Sequence, residues 1–254
     1  MRAMTALCFL LSSTAVAQPP VYVVNPDSAP PGVSRTLTVT GSAPVTLSWS
    51  NCYYSTFHDN DAGRTMTFAF GFASICSPGG PSLAPGQSVS TTFNVPGSVP
   101  PGTYWLKCLY NQGGQTFIEK WVDFHVAGPN DPLLSAPAPT WGAPWALTLS
   151  YPADPSAAYV AVASLGQNNR IAGGGLILSV EQDFLFDLSF PSPNPLLFTG
   201  FGLGGLNAAG TATLSMNLPP VVGFILGVHV QAALIPVITP GPVILSNCVD
   251  AAIQ

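Results

Sequence analysis

Apolar and polar positions alternate with a period of two along most of this chain, in short runs separated by Pro, Gly, Asn and Ser. That period puts successive side chains on opposite faces of an extended strand, so each run reads as a half-buried β-strand and not as an amphipathic helix. In the first part of the chain such runs fall at residues 21–24, 36–40, 45–50, 65–72, 88–95, 104–110 and 116–126. In the second part they fall at 146–150, 159–164, 176–180, 184–190, 196–201, 211–217, 224–234 and 243–247. Two runs also assign faces. Val122, Phe124 and Val126 alternate with Asp123 and His125, which predicts an apolar face turned inward and a polar face turned to solvent. Met66, Phe68, Phe70 and Phe72 share one side of their run and predict core.

Alternation stops between the two groups of runs, where the chain reads AGPNDPLLSAPAPT. Prolines at this density favour extended, semi-rigid backbone over sheet pairing. The expected organisation is therefore all-β, with two β-sandwich domains, immunoglobulin-like or jelly-roll-like. Residues 18–127 form the first, 128–140 a Pro-rich linker, and 141–254 the second. Seven runs in the first part match the strand count of an immunoglobulin-like sandwich.

Residues 1–17 read differently from the rest. Arg2 supplies a basic start, an apolar run follows, and Ala15, Val16 and Ala17 give the small-x-small pattern of a cleaved signal peptide. The mature chain is expected to start at Gln18 and to be secreted or held at the cell surface. Cys8 would leave with the leader, and Cys52, Cys76, Cys108 and Cys248 would remain. An even number of cysteines in an exported chain, without C-x-x-C spacing, predicts disulfides over metal ligation. The pairing stays open among three connectivities.

Charged residues make up only 7% of the chain and the formal net charge is −5, so basic residues are too few and too scattered to neutralise a run of phosphates. On that ground neither nucleic acid nor an anionic membrane surface is expected as a partner. The apolar run 221–238 is long enough to span a bilayer, but His229 and Gln231 interrupt it and no Lys or Arg flanks it, so a strand is expected and no transmembrane helix in the mature chain.

Chemistry-bearing residues are sparse. Asp59, Asp61 and Gly63 resemble the opening of a calcium loop, but no bidentate Glu follows, so calcium is at most an accessory and no other cofactor is indicated. Glu181, Asp183 and Asp187 share one strand parity and read as a solvated face. Asp123 and His125 read as outward neighbours on one strand. With no G-x-S-x-G elbow and no converging acids, no catalytic residue is assigned and the chain is not read as an enzyme. The aromatic residues Trp141, Trp145, Tyr53 and Tyr54 are the candidate ligand-binding positions, since flat rings stack on sugars or fill a partner's pocket.

Two stretches carry family resemblances. Leu83, Ala84, Pro85 and Gly86, followed by Pro100, Pro101, Gly102, Thr103 and Tyr104, form an L-x-P-G turn and then a P-x-G-x-Y strand opening. This resembles the bacterial immunoglobulin-like, CARDB-type modules of extracellular proteins, and the resemblance implies a non-catalytic β-sandwich used for spacing or adhesion. Residues 207–214, Pro219, Gly227, Gln231, Ala232 and the Leu245-Ser246-Asn247 triplet are similar to an uncharacterised C-terminal β module of exported bacterial proteins. The expected function is a secreted, non-catalytic structural or adhesive protein with an extracellular protein or polysaccharide as partner. The alternatives are a carbohydrate-binding module, calcium-assisted, and, last, an extracellular hydrolase.

Overall fold

The computed structural model describes residues 19–48, 56–59, 65–69, 81–112, 118–166, 170–173, 176–220, 225–238 and 241–253. The leader, Cys52, Tyr53, Tyr54, Asp61 and Cys76 lie outside these residues. Asp59 enters only as the closing residue of a strand.

The first half carries β1 (Val21–Asn25), β2 (Ser28–Ala29), β3 (Ser34–Thr40), β4 (Val45–Ser48), β5 (Thr56–Asp59), β6 (Thr65–Ala69), β7 (Ser82–Leu83), β8 (Ser88–Asn94), β9 (Gly102–Gln112) and β10 (Ile118–Val126). Strands β1-β3-β8 form one sheet and β2-β10-β9-β4-β7 another. β5 and β6 pair with each other, and β2 joins β10 in parallel. Alternate residues of the two larger sheets, among them Tyr22, Leu37, Val39, Leu47, Leu106, Val122 and Phe124, meet in one buried cluster. Tyr104 and Phe93 pack on the Phe124 ring from two sides, one stacked and one edge-on. The two motifs of the L-x-P-G stretch have simple physical causes. Gly86 sits at φ +79°, which L side chains avoid, and the Tyr104 hydroxyl donates to the Pro100 carbonyl at 3.0 Å, fixing the entry to β9.

The second half carries β11 (Leu133–Ser135), β12 (Pro144–Ser150), β13 (Ala158–Ser164), β14 (Arg170–Gly173), β15 (Leu176–Glu181), α1 (Phe184–Ser189), β16 (Phe198–Thr199), β17 (Gly202–Gly205), β18 (Thr211–Asn217), β19 (Leu226–Ile235), β20 (Ile244–Leu245) and β21 (Val249–Ile253). A β11-β12-β18-β16 sheet faces a β17-β13-β19 sheet, and both β20 and β21 pair with β19. Trp145, Leu147, Leu149, Leu214, Ala161, Val230 and Ala232 fill the space between them. The other face of β13 and β19 is covered as well: Val162 packs with Val180, Phe186 and Cys248, so the β14–β15 hairpin and α1 add a third layer.

Several expectations are corrected. The stretch 128–140 is not a plain linker. β11 lies inside it, pairs with β12 and buries Leu134 in the core, while Asp131 folds back on Gly128 and His125. Residues 184–190 were expected as a strand and form a helix, because Asp183 caps it: its Oδ1 accepts from the Leu185 and Phe186 amides at 2.9 and 3.0 Å. Pro191 forces Phe190 into extended backbone and ends the helix there. Asp183 is thus a cap and not part of an acidic strand face. Asp123 and His125, expected outside, are 1% and 6% exposed. His229 and Gln231 are buried too, since β19 is covered on both faces. Among the described residues no helix is long and apolar enough to cross a membrane, and the run 221–238 contains β19.

Candidate functional site

The chemistry-bearing side chains gather where the two halves meet. β3 carries Arg35 in register with Leu37 and Val39, so it points inward and is 0% exposed. Its guanidinium lies 4.9 Å from the Phe124 ring centroid. Nη1 donates to the carbonyls of Pro26 and Asp27 at 3.2 and 2.8 Å, and Nη2 to those of Ala29 and His125 at 2.9 and 2.7 Å. Burial pulls the Arg35 pKa down to about 10, with Asp27 opposing the shift. Arg35 therefore gathers the carbonyls of the turn from β1 to β2 and of the end of β10.

Asp27, held at that turn, reaches across to the second half. Its Oδ1 accepts from the Ser28 amide at 2.8 Å and its Oδ2 from Asn247 Nδ2 at 2.7 Å. Asn247 also accepts from the Leu134 amide at 2.7 Å and donates to the Leu134 carbonyl at 2.8 Å, so one amide ties β11, the break between β20 and β21, and the first half together. Burial pushes the Asp27 carboxyl up to about 6; the Asn247 hydrogen bond opposes this and the Asp250 charge adds to it. Ser246 and Gln231 complete the stitch. Ala232 donates to Ser246 Oγ at 3.0 Å, Gln231 Nε2 donates to the Ser246 carbonyl at 2.9 Å, and Gln231 Oε1 accepts from the Ser179 amide at 2.7 Å. Gln231, Ser246 and Asn247 belong to the stretch that resembles a C-terminal module. Their role here is to satisfy buried backbone groups.

On the same face of β19, His229 Nδ1 lies 2.7 Å from Asp250 Oδ1, its cross-strand partner on β21. Val21 of β1 packs in front of Gly227, where a β-carbon would stand 3.4 Å from it. A cavity of about 170 Å³ opens beside them, lined by residues of both halves. Farther along β1, at Val23 to Asn25, lies a groove of about 380 Å³, whose lining includes Thr38, Thr40, Ser135, Asp27 and Asp250.

The structure separates the residues expected to bind ligands. Trp145 is 2% exposed, with its ring in the core and its Nε1 donating to the Pro137 carbonyl at 2.7 Å, which removes it as a stacking surface. Trp141 packs half-buried against the same core and lines an apolar pocket of about 40 Å³ with Phe184 and Leu226. Cys108 and Cys248 are buried thiols, not disulfide partners. They belong to different apolar clusters, Cys108 on the core face of β9 and Cys248 beneath the third layer, where its Sγ lies 3.5 Å from Asp250 Oδ1. Burial pushes the Cys108 thiol up to about 12, with Lys120 opposing. Arg35, Asp27 and Asn247 were not expected as site residues. For Arg35 a signal existed: it occupies an inward position of the Arg35, Leu37, Val39 alternation.

No family model matches the chain, and no curated protein matches it either. Among solved structures it is similar to a Salmonella alpha-2-macroglobulin mutant at 15% identity, with a TM-score of 0.26, covering 95% of this chain and 15% of that one. It is similar to the Yersinia pseudotuberculosis adhesin InvE at 13% identity, with a TM-score of 0.25, covering 92% of this chain and 58% of that one. The chain thus spans less than two thirds of either protein. Likenesses at this level name no family.

Proposed function

We propose that the protein is a secreted, non-catalytic β protein that serves as a structural or adhesive component outside the cell. The observation that supports this reading is the use of its buried polar side chains. Arg35, Gln231 and Ser246, and the half-buried Asp183, direct hydrogen bonds to main-chain amides and carbonyls, and Asn247 does so while also reaching the Asp27 carboxylate, so that they hold strands and caps together. Groups committed in this way rigidify the fold and leave little reactive chemistry facing a substrate. The basic start, apolar run and Ala-Val-Ala ending of residues 1–17 support export. The L-x-P-G and P-x-G-x-Y motifs support a role in spacing or adhesion, through their resemblance to CARDB-type modules.

The test is a screen of the chain lacking residues 1–17, immobilised on beads, against glycans and extracellular matrix proteins. Saturable retention of one class of macromolecule is the expected result. Product release from a panel of polysaccharides, peptides and esters overturns the reading.

A further inference from the structure

Main-chain hydrogen-bonding groups on the outer side of an edge strand point away from its sheet, and a long, unguarded edge is a template for a further strand. Outside the two hairpins, the sheet edges of this protein differ in that respect. β2, β7, β16 and β20 are two residues long, β11 is three and β17 is four, so each offers little. β1 and β21 are longer, but they lie against each other where the halves meet. β8 is the exception. It ends the β1-β3-β8 sheet with seven residues, and β3 is its one strand partner among the described residues.

Nothing in β8 blunts that edge. Its sequence is SVSTTFN, with no charge, proline or glycine, and its register with β3 runs unshifted from Ser88 to Asn94, so no bulge turns it aside. Ser88, Ser90, Thr92 and Asn94 are exposed on one face, while Phe93 on the other face belongs to the core. On the exposed face β8 already pairs hydroxyl to hydroxyl. Ser90 Oγ lies 2.9 Å from Thr38 Oγ1, and Ser88 Oγ 2.8 Å from Thr40 Oγ1. A strand that matches Ser and Thr with Ser and Thr finds the same residue types on a copy of itself.

We propose that two copies of this chain pair through β8, antiparallel about a twofold axis at Thr91, joining their β1-β3-β8 sheets into one. In that register Ser90 of each copy faces Thr92 of the other and Ser88 faces Asn94, so neutral hydroxyls and amides meet and no like charges oppose each other. Pairing about a single residue also keeps parity: main-chain groups that point outward in one copy meet outward-pointing groups in the other, as a self-complementary contact requires. A strand of a different protein carries no such built-in match of face and register.

The test is sedimentation velocity on the chain lacking residues 1–17, which keeps every described residue, at concentrations from about 1 to about 300 μM. Reversible dimer formation with rising concentration is expected. Ser90→Lys combined with Thr92→Lys sets two like-charge pairs directly across the axis and should weaken the dimer about tenfold. Ser90→Glu combined with Thr92→Glu should do the same. An equimolar mixture of the two double variants should recover the dimer, because opposite charges then face each other in both pairs. Both positions are exposed, so the thermal midpoint at the lowest concentration should stay within about 3 °C of the parent chain. A chain monomeric at every concentration overturns the proposal and leaves the edge to a strand of another protein. A dimer indifferent to the Lys substitutions, or a mixture that fails to recover it, overturns the proposal as well.

Discussion

One buried cluster in each half of this protein solves the same problem, backbone groups that need partners beyond the strand ladders, with different chemistry. In the first half a single charge does it: Arg35 gathers four carbonyls from two segments. In the second half, at the break between β20 and β21, the neutral Gln231, Ser246 and Asn247 share the task, while the carboxylates of Asp154 and Asp183 hold amides elsewhere. The difference follows from what is orphaned in each place. The turn from β1 to β2 and the end of β10 turn carbonyls toward Arg35, and a guanidinium donates from every position and accepts from none. The break between β20 and β21, with β11 beside it, leaves both amides and carbonyls, which need groups that donate and accept. A carboxamide and a hydroxyl are such groups. At the first cluster the dependence is concentrated on one residue, and at the second it is spread over three.

The largest expected effect tests the concentrated case. Arg35→Met should cost about 3–5 kcal/mol, since it removes a donor from four carbonyls at once, of which those of Asp27 and Ala29 keep a backbone amide, from His125 and Ala127, and urea unfolding measures it. A loss below about 1 kcal/mol would mean that the turn finds other donors and that the contrast between the halves is false.

The distributed case should be milder at each site. Asn247→Ala removes partners from Leu134 and Asp27 and is expected to cost about 2–3 kcal/mol, with Gln231→Ala at roughly 2 kcal/mol. Either variant matching Arg35→Met in the same urea assay would show that one neutral residue dominates after all.

Acidity probes the link between the halves. The folded-state pKa of Asp27 is raised to about 6 from 3.8, so its proton is bound more tightly in the folded chain. Its contribution is fully present below the unfolded value and is lost as pH rises through about 6. Asp183, also raised by burial, works in the same direction, while Asp131, lowered chiefly by its His125 hydrogen bond, acts only in more acidic solution. Thermal midpoints should therefore fall by a few degrees from pH 4.5 to pH 7.5, corresponding to roughly 2 kcal/mol. Asp27→Asn should flatten most of that slope. An unchanged slope in the variant would place the titration elsewhere.

The smallest effect separates burial from polarity. Thr38 Oγ1 and Ser90 Oγ lie 2.9 Å apart across β3 and β8 on an exposed face. This is a neutral pair like those of the second half, but wet. Thr38→Ala should cost no more than about 0.5 kcal/mol. A cost near that of Asn247→Ala would show that hydrogen-bond chemistry alone, and not its desolvation, sets the scale.

Most strands were legible because alternation is local: β1, β3, β12, β13 and β18 fall where the runs do. β11 was hidden among prolines, and β17, rich in glycine, has almost no side-chain pattern to read. Residues 184–190 alternate as a strand would. One capping carboxylate and a following proline outweigh that pattern. The candidate site was less legible than the fold. Trp145 looks in sequence like any aromatic beside a Gly-Ala-Pro turn, and only packing against β18 makes it core.

Period-two alternation, turn residues and the scarcity of charge belong to single segments, so the sequence by itself determined that the chain is all-β and where most of its strands lie. Which faces are covered, which thiols stay apart and which polar residues meet depend on contacts between segments far apart along the chain. Asn247 reaches Asp27, and β19 is covered on both sides by layers that no local pattern announces. Burial is a property of the neighbour as much as of the residue, and for that reason only the tertiary structure decided that Arg35, His125 and His229 lie inside.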